Sequence, residues 1–146
     1  MTAPESTPEP LLSAAVVRLT CLNFLFFSVY LLYFPTLPFF IERLGGAKSE
    51  IGLLIGMSSL ASLVARPFVG YAVDAYGRRP VMLTGLAVFV LNALLYNVVQ
   101  SVASVAVLRL LTGASMAIFV TSASASIADV AAPSRRGEVM SYYGLA

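Results

Sequence analysis

From Leu19 to Ile41 the chain carries no charged side chain, and from Val81 to Gln100 it again carries none. About 20 such residues cross the hydrocarbon core of a bilayer as a helix, which satisfies its own backbone donors and acceptors where no water can. Two further runs, Ile51 to Val73 and Val105 to Ala128, are each broken by one charge, Arg66 and Arg109. The chain therefore reads as an all-α integral membrane protein, with spans at about 14–40, 51–73, 81–100 and 105–128 and a fifth beginning near 138. Composition agrees: 11% of residues are charged, against roughly 25% in soluble domains.

The same composition excludes several chemistries. There is no histidine and a single cysteine, Cys21, inside an apolar run. Imidazole catalysis, a disulfide framework and a thiolate metal site are therefore all closed, and we expect neither a metal nor a cofactor. A net charge of +2, scattered along the chain, does not suggest nucleic-acid binding. No carboxylate pair within the membrane and no nucleophile in a recognisable setting point to an enzyme. Residues 1–13, with Pro4, Pro8, Pro10, Glu5 and Glu9, read as a disordered tail. They lack the basic start of a secretory signal, which leaves 14–146 as a helical bundle.

Between the second and third runs lies Gly-Tyr-Ala-Val-Asp-Ala-Tyr-Gly-Arg-Arg-Pro, residues Gly70 to Pro80. So short a connection makes the flanking helices antiparallel neighbours. Asp74 ends the second run, where a negative charge opposes the helix dipole and calls for a cation; Arg78 is the nearest candidate. Gly77 can take the positive φ of a tight reversal, and Pro80 suits the first turn of a helix. Arg18, Arg66, Arg78, Arg79, Arg135 and Arg136 fall on one side of the membrane and Arg43, Lys48 and Arg109 on the other. This bias places the N-terminus and both Arg-Arg loops in the cytoplasm.

The pattern Gly70-x3-Asp74-x2-Gly77-Arg78-Arg79, placed after a second span, resembles the signature of the major facilitator superfamily. The resemblance runs through nearly the whole chain after the tail and is closest to the bacterial drug or sugar efflux branch. It implies multi-pass residence in the inner cell membrane and alternating-access transport of a small molecule, with protons as the coupling ion. In the fourth span, Arg109-Leu-Leu-Thr-Gly-Ala-Ser-Met-Ala resembles the family's Arg-x-x-Gln-Gly-x-Gly-x-Ala. Thr112 replaces the glutamine and Ser115 the second glycine. The likeness implies that Arg109, with Thr112 and Gly113, is a cavity-facing cation linked to proton coupling; snorkelling to the headgroups is the plainer alternative. Asp129 ends the fourth span on the side of Asp74 and Arg78, and the resemblance implies that these charges latch the outward-facing state.

Three further features bear on packing and on the membrane interior. Asn23 either makes an interhelical hydrogen bond or lines a cavity. Arg66 either snorkels from near the helix end or contacts substrate. Gly52 and Gly56, at GxxxG spacing, suggest close helix approach. No Asp or Glu lies deep within the four spans, so a titrating carboxylate would have to come from elsewhere. The expectation is an N-terminal portion of a transporter, unable to transport without the remainder of the bundle. The alternative is a stand-alone four-helix membrane protein that acts as an oligomeric small transporter or an assembly partner.

Overall fold

The computed structural model describes residues 14–131 and 135–145. The tail expected over residues 1–13 lies outside them, as does Pro133. The elements in order are α1 (Ala14–Arg43), α2 (Lys48–Tyr76), α3 (Arg78–Leu95) with a 3-10 turn at Tyr96–Val98, α4 (Val102–Val130) and α5 (Arg136–Gly144). Among the described residues there is no strand. The first four helices are long and apolar enough to cross a membrane.

The helices run further than the apolar stretches that announce them. At 29 residues each, α2 and α4 are about 43 Å long and exceed a hydrocarbon core of about 30 Å. Their polar ends therefore continue as helix into the interfacial layers. Lys48 and Glu50 become the first turn of α2, where Glu50 Oε2 accepts a hydrogen bond from the Ala47 N–H at 2.7 Å. Ser101 caps α4 by accepting from the Ser104 N–H at 3.2 Å. α1 passes through Pro35 and Pro38 without a break; between them the Thr36 hydroxyl donates to the carbonyl oxygens of Tyr33 and Leu32, at 3.1 and 3.2 Å.

Gly77 alone separates α2 from α3, at φ 87°. Arg78 is already the first residue of α3, so the reversal is a single left-handed residue rather than a loop. That conformation costs a side chain dearly and glycine little.

α4 is the central helix, packed against α2 on one face and α3 on another, with α1 across the bundle. Phe26, Phe89 and Phe119, from α1, α3 and α4, form the middle of the core, with centroids 4.1 Å apart for Phe26 and Phe119 and 4.6 Å for Phe26 and Phe89. Leu37, Ile41, Leu54 and Val105 fill the Gly46 end, and Val69, Val73, Val81 and Ala117 the Gly77 end.

Close approach falls where the GxxxG spacing did not suggest it. A Cβ on Gly52 or Gly56 would meet nothing within 4 Å, so these glycines do not serve helix contact among the described residues. A Cβ on Gly113 would overlap the Ser58 carbonyl oxygen, and one on Gly85 would lie 2.7 Å from Ile118 Cγ2. The α2–α4 and α3–α4 crossings therefore depend on Gly113 and Gly85. Spacing along a helix does not say which way the helix is rotated, and the rotation places Gly52 and Gly56 outward.

Candidate functional site

At the Gly77 end, Arg78 pairs with Asp129. The pair ties the α2–α3 reversal to the last turn of α4, and both side chains keep substantial exposure, 36% and 54%. Because α3 begins at Arg78, its guanidinium projects from a different helix than Asp74 and meets α4 instead. Asp74 is exposed in the last turn of α2 and has no ion-pair partner among the described residues. Arg79 is exposed beside Arg78; Gly70 is half-buried on α2, with open space where a Cβ would stand. The structure thus joins two of the charges singled out at this end, Arg78 and Asp129, and leaves Asp74 out of the pair.

Within the membrane thickness a second polar group is buried. Arg109 is 2% exposed. Its Nη2 donates to Ser58 Oγ at 3.0 Å and its Nε to the Leu54 carbonyl at 3.4 Å. The guanidinium is directed into α2, one helix turn from the Gly113 contact, and not toward headgroups. Ser58 in turn donates to the Ile55 carbonyl at 2.8 Å. Thr112 donates to the Leu108 carbonyl at 2.8 Å and accepts from Asn92 Nδ2 at 2.7 Å, so α4 is hydrogen-bonded to α3 at the level where it is also bonded to α2. Asn92 Oδ1 and the Tyr96 hydroxyl are buried without partners among the described residues. Asn23 is also buried, and its Oδ1 accepts from the Tyr143 hydroxyl at 3.0 Å, which links α1 to α5.

Beside this network a cleft of about 400 Å³ opens between α1, α2 and α4. Ser58, Ser59, Ser62, Leu63 and Arg66 line it from α2, Tyr30 from α1 and Met116 from α4. The described residues contain no cluster of three or more His, Cys, Asp or Glu able to hold a metal. The arrangement sets an exposed ion pair at one end of the bundle and a buried cation beside a partly polar cleft within it.

Ser58 and Tyr143 do not stand out in the sequence, and Asn92 stands out only as a polar group in an otherwise uncharged span, with no partner indicated. Their roles depend on helix rotation, and a helix that is apolar nearly all round gives no face to read. The one available signal was indirect: a membrane arginine needs acceptors, and a serine-rich neighbouring helix can supply them.

The pattern of the family described as the Major Facilitator Superfamily matches residues 19–146. The chain is 29% identical over 115 residues to multidrug resistance protein 2 of Bacillus subtilis, covering 79% of this chain and 29% of that protein. It is 32% identical over 112 residues to an uncharacterized MFS-type transporter of Methanocaldococcus jannaschii, covering 77% and 29%. It is 24% identical over 124 residues to the quinolone resistance protein NorA of Staphylococcus aureus, covering 81% and 32%. The chain thus spans about a third of the length of these relatives.

Proposed function

The chain belongs to the major facilitator superfamily, a family of multi-pass membrane transporters and not of enzymes, and from that premise we propose that it is the N-terminal portion of a proton-coupled exporter of small molecules. It supplies four spans and the start of a fifth, and the rest of the bundle completes the transport path. The Gly77 end faces the cytoplasm of a bacterial cell, with the N-terminus on the same side, in keeping with the bias of lysine and arginine.

The observation that carries this reading is the Arg78–Asp129 pair. An exposed ion pair contributes little to stability, about 0–1 kcal/mol, so its value lies elsewhere. Spanning the reversal between α2 and α3 and the end of α4, it can form in one arrangement of the helices and break in another. It thereby biases a two-state equilibrium by its differential energy. Asp74, Arg79 and the glycines Gly70 and Gly77 complete the proposed latch. Arg109, held at Ser58 on the same face as Thr112 and Gly113, is the proposed coupling centre, its positive charge set to respond to a carboxylate brought by the remainder of the bundle; Asn23, bonded to Tyr143, is a separate polar contact of the proposed transport path. Efflux is also what the names of two relatives, a multidrug and a quinolone resistance protein, suggest.

The test is accumulation of amphipathic dyes by cells carrying the gene that encodes this chain. Such cells should retain less dye than cells lacking the gene, and a protonophore should abolish the difference. Equal retention, with the protein demonstrated in the membrane, would overturn efflux. Extrusion indifferent to the protonophore would overturn proton coupling alone. The purified 146-residue chain in liposomes should move no dye.

A further inference from the structure

Arg66 lines the α1–α2–α4 cleft. It stands ten residues before the end of α2 at Tyr76 and seven before the end of the apolar run at Val73, about 10 Å inside the hydrocarbon layer. Side chains on a helix lean toward its N-terminus, which for α2 is the far, Gly46 end. The other α2 residues around the cleft, Ser58, Ser59, Ser62 and Leu63, all lie on that N-terminal side of Arg66. Arg66 is exposed, and as a lining residue it presents its guanidinium to the cleft.

The charge there is uncompensated among the described residues. No acid lines the cleft, and no ion pair of Arg66 or of Arg109 exists among the described residues. Arg109 lies directly behind Ser58, donating to its hydroxyl at 3.0 Å, so a second fixed positive charge backs the same wall. Two like charges beside a cleft in a medium of low dielectric focus a positive potential into it. Ser59 and Ser62 offer hydroxyl donors engaged by no other group among the described residues, while Tyr30, Leu63 and Met116 supply an apolar wall. A guanidinium with hydroxyl donors suits a planar oxyanion, which it can bind through two parallel hydrogen bonds. The volume, about 400 Å³, is within the range of small-molecule sites.

We propose that this cleft binds amphipathic organic anions, a carboxylate or sulfonate on an apolar body, with Arg66 as the anion-binding residue and Ser59 and Ser62 as supporting donors. The proposal names a substrate class for the transporter reading and rests on it for its biological meaning. Binding itself can be measured without transport.

The experiment compares two probes with the same aromatic body and opposite charge, pyrenebutyrate and pyrenemethylammonium. Each is titrated against the purified chain in nanodiscs of zwitterionic phosphatidylcholine, with empty nanodiscs as the blank. The expected result is a preference for the anion of about tenfold or more, lost in Arg66→Gln and intact in Arg43→Gln, whose target is exposed and outside the cleft. Arg66→Lys should keep the preference with several-fold weaker binding, because a single ammonium replaces the fork. It carries the test should Arg66→Gln fail to fold. Equal binding of the two probes, an anion preference that survives Arg66→Gln, or unweakened anion binding in Arg66→Lys would overturn the proposal. If the chain prefers anions but the cells extrude no dye, the transport reading fails and this one stands. If dye is extruded but the probes bind alike, the reverse holds.

Discussion

Arg78 and Arg109 are both arginines held by a neighbouring helix, and they are held in opposite ways. Arg78 meets a carboxylate, Asp129, in a setting open to solvent. Arg109 is 2% exposed and meets only neutral acceptors, Ser58 Oγ and the Leu54 carbonyl. The first contact combines full charge with weak net energy, because water screens it and competes for both partners. The second has no countercharge, yet it sits where moving the guanidinium would strip its remaining hydrogen bonds. The first contact can be broken at little cost in stability, whereas the second is costly to disturb.

That contrast can be broken at several points. The largest effect should come from the crossing that positions Arg109. Gly113→Val would drive a side chain into the Ser58 carbonyl and should cost about 3 kcal/mol or prevent folding, as measured by thermal unfolding in detergent. Arg109→Met removes a buried charge with no partner acid and keeps its volume. It should leave the fold as stable or raise its stability by about 1 kcal/mol, while abolishing dye extrusion. A large loss of stability would instead make Arg109 a structural tie. Tyr96→Phe deletes a buried hydroxyl that has no partner among the described residues and should stabilise by about 1 kcal/mol. Asn23→Ala loses the bond from Tyr143 and should cost about 0.6 kcal/mol.

The two regions also differed in how far they could be read in advance. The four spans were legible because length without charge has one physical solution in a bilayer, and the cluster at the Gly77 end because its residues are crowded into one short stretch. Which charges meet was less legible. Arg78 stood four residues from Asp74 in sequence, but Gly77 turns the chain at that point and carries Arg78 toward α4. The buried network was the hardest to read, since Ser58, Asn92 and Tyr143 become partners only through the rotation and register of helices whose apolar surfaces give no face away. Gly52 and Gly56 mislead for the same reason: the spacing is right and the rotation points them outward.

The most direct measurement concerns the exposed pair. With Cys21 replaced by serine, a cysteine is placed at Ser62, on the wall of the cleft, in the transporter produced from the whole gene. Its labelling by a membrane-impermeant maleimide is followed from each side of the membrane, with and without Asp129→Asn. Breaking the Arg78–Asp129 contact should leave thermal stability within about 0.5 kcal/mol and raise labelling from the cytoplasmic side at the expense of the other. Unchanged labelling from both sides in a folded protein would contradict the latch.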